Sequence, residues 1–294
     1  MVVWPSNIQE FAREYEETNF GAAISVGTFC QSAMALKQAG LRKFSGPFDW
    51  IFSNVGVVSH CIQDDFVKFL DRTQYLAFPD LAEGVSNTNL CAHKFYRDHY
   101  GLPVMFNHHA PIYDEEYNYF LRCVYRFRSA MKSDCPKLLL MLIHDTVLDG
   151  RYSLLVEALE KYRTEFLLLF LRFSCFACGE DNIANSMAIS RLAPQVVAVD
   201  FPSSSPSNGV IFSSDVDNER LVSFLRLFNV DSTLLSEPTF VVSSEVFDGT
   251  VNFDESWYLA ANPDVALAVR NGVFETGRQH YSLHGRREGR RPKA

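Results

Sequence analysis

The chain has 294 residues, 47% of them hydrophobic and 21% charged, with a mean hydropathy close to zero. That is the profile of a globular protein with room for one large domain and an accessory. A formal net charge of -8 argues against the basic face on which nonspecific nucleic-acid binding depends, so no nucleic-acid partner is expected.

The opening Met1-Val2-Val3-Trp4-Pro5 has no basic start or long apolar stretch, so it does not read as a secretory signal. The longest apolar run, residues 166–173, already contains Arg172 and suits a buried strand better than a membrane span. No membrane span and a cytoplasmic location are the resulting expectations. Seven cysteines at irregular spacing read as reduced thiols packed as small hydrophobes. Cys175 and Cys178 form a CxxC, but no second ligand pair follows, so neither a metal nor a cofactor is expected.

In chain order, residues 5–20 have the spacing of a leading helix closed by Gly21. Residues 22–27 read as a short strand, Thr28 as an N-cap, and 31–38 as a helix ended by Gly40. Residues 44–50 form a proline corner, and 55–70 an amphipathic helix. Residues 71–89 read as a long surface loop. Within 90–109, segments 93–96 and 104–106 suggest two short strands joined by a turn at 98–102, and a helix is expected over 115–131.

A strand-helix rhythm follows: strand 137–143, helix 152–162, strand 165–173, a short helix at 187–193, strand 195–201, and helix 218–228. Nearly continuous apolar strands between amphipathic helices indicate a mostly parallel sheet covered on both faces. The expected fold is therefore α/β, a three-layer Rossmann-like sandwich with a small C-terminal helical module. The division is a domain over 1–233, a linker over 234–251 and a helical module over 252–294. Within the module, Asn262-Pro263 forces a break, with Asp264 as cap of a helix over 265–270, another helix over 276–284, and a solvated basic tail at Arg286, Arg287, Arg290 and Arg291.

Chemistry points to the first strand-to-helix turn. In open α/β sheets ligands collect at the carboxyl ends of strands, and here that edge receives Ser25, Thr28 and Cys30. A helix N-terminus favours a thiolate, and a nearby imidazole can serve as its base. The adjacent pair His108-His109 at the end of an expected strand is the best source of that base. Asp49, in the corner, is a candidate orienting carboxylate, with Asp200 as competitor; a helix cap or an arginine pair is the structural role open to Asp49. His144-Asp145 would reach the same sheet edge, where a turn cap is the simpler explanation.

The block ISVGTFCQSA at 24–33, followed by LRKFSGPFDWI at 41–51 and FNHH at 106–109, resembles a bacterial domain family labelled papain-like cysteine peptidases (DUF1796). The resemblance covers roughly residues 22–230. It implies Cys30 as nucleophile and His108 as general base, with His109 standing where the family tends to have an acid. Ser25, Gly27, Thr28 and His109 are then the candidate substrate-binding residues. Papain-type sites place a glutamine a few residues before the cysteine, and none lies between Gly21 and Phe29. The expected function is a thiol hydrolase or acyl-transferase acting on an amide or ester bond, with backbone N–H groups at the helix start holding the oxyanion.

Two other classes fit the same geography. The Gly27 turn before a helix could cradle a nucleotide-sugar diphosphate, although no GxGxxG or Walker pattern is present. The tail, YLAANPDV with HY at 280–281 and GRREGRRP at 285–292, resembles a short repeat attached to bacterial glycosyltransferases and surface-polysaccharide or calcium-binding repeat proteins, which implies association with polysaccharide machinery. The third class is a non-catalytic interaction protein.

Overall fold

The computed structural model describes residues 4–77, 90–144, 152–175, 187–235, 253–270, 276–281, 285 and 290–293. The protein is a mixed α/β molecule built on a mostly parallel central sheet. After helix α1 (Ser6–Arg13) and the two-residue strand β1 (Asn19–Phe20) come β2 (Ala22–Ser25) and α2 (Gln31–Gln38). A long excursion follows through α3 (Val55–Gln63), the antiparallel pair β3 (Tyr75–Ala77) and β4 (Cys91–His93), and helices α4 (Lys94–Tyr100) and α5 (Asp114–Lys132). The chain then returns to the sheet as β5 (Lys137–His144), α6 (Tyr152–Glu160), β6 (Phe166–Cys175), β7 (Ala188–Ala193), β8 (Val196–Ser203), α7 (Asp215–Leu225) and β9 (Asn229–Val230).

The sheet runs β2-β5-β6-β8-β7. Its first four strands are parallel, and β7 pairs antiparallel with β8. Successive side chains of a strand point to opposite faces, so the apolar runs feed two cores. Ile24, Leu139, Met141, Leu168, Phe170 and Ala198 share one core with Val58 and Ile62 of α3, Phe120 and Phe127 of α5, and Leu155 of α6. Leu138, Leu140, Leu169, Leu171, Val197 and Val199 share the other with Phe11 of α1, Leu36 of α2, and Leu221 and Phe224 of α7. Burial on both faces explains why these strands read as unbroken hydrophobic runs.

Several local expectations change. Residues 188–193, expected as a helix, form the antiparallel edge strand β7. Its side chains are exposed or only partly buried, so the sequence lacks the apolar run that marks the inner strands. The segment 94–100 is the helix α4, not a strand leading into a turn; Gly101, at φ +64, takes the left-handed conformation that ends it. The leading helix stops at Arg13, because residues 19–20 pair with β9. The helix from 55 ends at Gln63, where Asp65 and Phe66 both take positive φ. Part of the long loop (78–89), most of the linker (236–252), Cys178 and the basic pair Arg286 and Arg287 lie outside the described residues.

In the tail, α8 (Glu255–Ala261) and α9 (Pro263–Arg270) are separated at Asn262, as the Asn-Pro step requires. Tyr258, Val265 and Tyr281 form a small apolar cluster with Phe253 and Trp257 packed against it. Asp254 caps α8, accepting from Trp257 N–H at 2.9 Å, whereas α9 begins at Pro263 and holds Asp264 inside its first turn. Asp264 also takes a two-pronged contact from Arg290, at 2.8 and 2.7 Å. Arg290 also donates to Asn262, so it fastens the module and does not belong to a solvated tail.

Candidate functional site

Where β2 ends, the next strand loses its neighbour, and the turn supplies replacements. Val26 N–H still reaches Leu140 O at 2.9 Å. Beyond it, Thr28 Oγ1 donates to Leu142 O at 2.7 Å, and Ser32 Oγ accepts from Leu142 N–H at 3.1 Å. Buried main-chain groups must be paired, and these two side chains complete the edge of β5. Gly27 is required by close approach: a Cβ there would lie 2.0 Å from Ser32 Oγ. The expected Thr28 cap is therefore absent, since its hydroxyl is spent on Leu142; Cys30 occupies the N-cap position of α2 with no side-chain cap bond.

The same turn holds the segment that faces the thiol. Ser53 Oγ donates to Gly27 O at 2.5 Å and Ser53 N–H to Thr28 O at 3.1 Å. One residue back, Phe52 N–H donates to Met105 O at 2.8 Å, and Ile51 bridges Phe106. This relay seats Asn107 against Cys30: its Oδ1 and Nδ2 stand 4.0 and 3.9 Å from the sulfur, at the outer reach of a sulfur hydrogen bond.

Cys30 is 2% exposed. Burial pushes its thiol above the ordinary 9.0; the Asn107 amide pulls the other way, and the Asp49 charge adds a further upward push. The resting thiol is thus protonated at neutral pH, and nucleophilic use of it needs a base. His108 is exposed, and its ring meets the edge of Trp50 at 6.1 Å between centroids. Partial burial and the neighbouring His109 hold His108 below 6.5, so it is neutral and able to accept a proton at pH 7. Among the described residues, none hydrogen-bonds its ring. His109 is engaged differently: its Nδ1 lies 2.5 Å from Glu116 Oε2, and its ring stacks on Tyr119 at 4.3 Å.

Asp49 is buried, and its partners are Arg42 and its own turn. Arg42 Nε donates to Oδ2 at 2.7 Å, and Gly46 N–H to the same oxygen at 2.9 Å. Burial outweighs Arg42 and raises this carboxyl to about 6. The structure brings Asp49 to an arginine, not to an imidazole, which is the structural role left open for it above. Arg42 also lies over the Trp50 ring at 5.4 Å. Asp200, its competitor, pairs with Arg172 at 2.6 Å.

The remaining expected binding residues face inward. Ser25 is buried and its Oγ accepts from Gly27 N–H at 3.4 Å, while Thr28 is spent on Leu142. The turn thus uses its polar groups on itself, which weakens its case as a phosphate cradle. At the start of α2, Gln31 N–H, the expected oxyanion donor, donates to Gly209 O at 2.9 Å.

Three features were missed from sequence. Asn107 contacts the sulfur, Glu116 orients an imidazole, and the serine-rich loop after β8 reaches back to Gln31. That loop is pinned by Asp217, a buried carboxylate accepting from the N–H and Oγ of both Ser204 and Ser205. The run SSSPS at 203–207 was the signal available in the sequence; the burial of Asp217 was not.

Among the described residues, no group of three or more His, Cys, Asp or Glu is placed to hold a metal ion, and no helix is long and apolar enough to cross a membrane. An open depression lined by Tyr15, Arg163, Glu165 and Gln195 lies at the opposite, amino-terminal edge of the sheet.

These features define an α/β protein with a buried thiol at the carboxyl end of its first sheet strand. Residues 21–143 match the model of a family described as "Putative papain-like cysteine peptidase (DUF1796)". The match runs from Gly21, just ahead of β2, to Ile143 within β5, and includes Cys30, Asp49, His108 and Glu116. No curated protein and no solved structure matches the chain.

Proposed function

We propose that the chain is a cysteine-dependent hydrolase of amide or ester bonds, with Cys30 as nucleophile and His108 as general base. The observation that carries this reading is the contact between Cys30 and Asn107, which sets the thiol beside the segment bearing both histidines. The match to a cysteine-peptidase family over the same residues supports it.

In this mechanism the thiol proton passes to the neutral imidazole as sulfur attacks the carbonyl carbon. The carbonyl oxygen takes the negative charge. Collapse of the adduct breaks the bond to the leaving amine or alcohol, which takes the proton from the imidazolium. Water, deprotonated by the same imidazole, then cleaves the thioester and restores the thiol. Acyl transfer differs only in the final acceptor. The raised pKa of Cys30 makes base assistance essential, and His108, neutral at pH 7, is free to take the proton.

A second assignment of the base comes from one observation: Glu116 holds His109 at 2.5 Å, the carboxylate–imidazole arrangement that orients a general base. The same reading takes the fold as three-layer and Rossmann-like, supported by the two apolar cores, and places domain limits at 233 and 252, supported by the separate cluster around Tyr258.

The test is hydrolysis of p-nitrophenyl acetate and of a panel of peptide amides by the whole chain. Cys30→Ala should abolish turnover. His108→Ala should lower it by about 10²–10⁴-fold, the usual range for a general base. An equal loss confined to His109→Ala would move the base to that residue, and turnover that survives Cys30→Ala would sink the proposal.

A further inference from the structure

We infer that Gln31, through its side-chain amide, is the donor that binds the carbonyl oxygen of the substrate at the Cys30 site. The inference rests on the hydrolase reading above. Gln31 follows the thiol directly and is the first residue of α2. It is 3% exposed, and its Nε2 has no hydrogen-bond partner among the described residues. Native proteins leave few buried polar groups unpaired, because each forfeits the water it gave up. Of the unpaired buried polar atoms, this amide donor is the one next in sequence to the thiol, where a substrate oxygen could take it up.

The orientation of the amide is set from the far side. Ser207 Oγ donates to Gln31 Oε1 at 2.6 Å while accepting from Gly209 N–H at 3.0 Å. With the carboxamide oxygen turned to the Ser207 hydroxyl, the NH2 end is left as the free donor. A carbonyl oxygen already occupies the neighbouring position, since Gly209 O accepts the Gln31 main-chain N–H at 2.9 Å. The helix start therefore accommodates a carbonyl group, and its main-chain donor is taken. The side chain supplies what the main chain does not.

The reaction requires this donor only when a carbonyl becomes an oxyanion. Acylation of Cys30 by p-nitrophenyl acetate passes through such an adduct: the S–C bond forms, the oxygen takes the charge, and p-nitrophenolate leaves. Alkylation by iodoacetamide displaces iodide at a saturated carbon and builds no oxyanion. Both rates are read at Cys30 by peptide mass spectrometry of the whole chain. Gln31→Met keeps the length of the side chain and removes the donor; Gln31→Ala repeats the deletion with less bulk, and circular dichroism establishes that each variant is folded.

The expected result is a 10²–10³-fold slower acylation, the scale for loss of one such donor, with alkylation changed less than about threefold. Equal slowing of both reactions would reduce Gln31 to a structural residue and overturn the inference. So would acylation that is unchanged in folded Gln31→Met. Wild-type protein that is never acylated at Cys30 would instead overturn the hydrolase reading, and the role of Gln31 with it.

Discussion

Replacing Gly27 by alanine tests how the fold delivers Cys30. The new methyl group would sit 2.0 Å from Ser32 Oγ and 2.6 Å from its Cβ, well inside contact distance. Neither atom is free to yield, because Ser32 Oγ is the partner of the buried Leu142 N–H. The first turn of α2 must move off the strand end. Overpacking of this kind costs about 1–3 kcal/mol, and stranding the Leu142 N–H adds about 1–3 kcal/mol, so a loss near 4 kcal/mol is expected. Ser32→Gly alone strands the same N–H and should cost about 2 kcal/mol. In the double variant the clash with Ser32 is gone, a tight 3.2 Å approach to Phe29 O remains, and the hydrogen bond is lost only once. Its stability should therefore match Ser32→Gly to within about 1 kcal/mol, a strong coupling between the two sites. Urea denaturation of the four proteins measures this. Additive losses, or a Gly27→Ala protein within about 0.5 kcal/mol of wild type, would refute the close approach as the reason for glycine.

Two further outcomes follow from buried groups. His93 is fully buried between Tyr75 and Tyr96, bonded through Nε2 to Lys68 O, and burial depresses it to about 4. A histidine held below its unfolded pKa is harder to protonate when folded, so its contribution is complete above about 6.5 and is lost as pH falls toward 4. At pH 4.5 the loss is about 2.5 kcal/mol, and His93→Gln should show a correspondingly flatter stability curve between pH 7 and 4.5; an unchanged slope would contradict the assignment. Asp217→Ala leaves the buried Arg220 without its ion-pair partner and frees Ser204 and Ser205. A loss of about 3–5 kcal/mol is expected, together with faster limited proteolysis within residues 203–214, and resistance equal to wild type would show that Asp217 does not anchor the loop.

How much of this was legible in the sequence depends on where each signal is written. The β2–turn–α2 unit was readable because a short apolar strand, a glycine and a helix follow one another locally, and β5, β6 and β8 because burial on both faces leaves uninterrupted apolar runs. The Asn262-Pro263 break between α8 and α9 is legible because it follows from a backbone rule. Strand β7 was missed because it lies at the edge and carries mixed polarity, so its identity comes from pairing with β8 and not from its own residues. Helix α4 reads from sequence as a strand and turn because its aromatic residues, Phe95, Tyr96 and Tyr100, suit both states. At the site, Cys30 and the His108-His109 pair stood out by residue type. Asn107, Glu116 and Ser207 did not, since their roles arise from contacts spanning 77, 7 and 176 positions, and an asparagine or serine in a loop has many ordinary uses. Asp49 was legible as important but not as the partner of Arg42, seven residues earlier.

The pH dependence of Cys30 acylation by p-nitrophenyl acetate tests the central claim most directly. If an imidazole takes the thiol proton, the rate should rise with an apparent pKa below 6.5, set by His108, and level off at neutral pH; His108→Ala should remove that limb. A rate that instead climbs through pH 9 without a plateau, as an unassisted thiol with its pKa raised above 9.0 requires, would contradict the account.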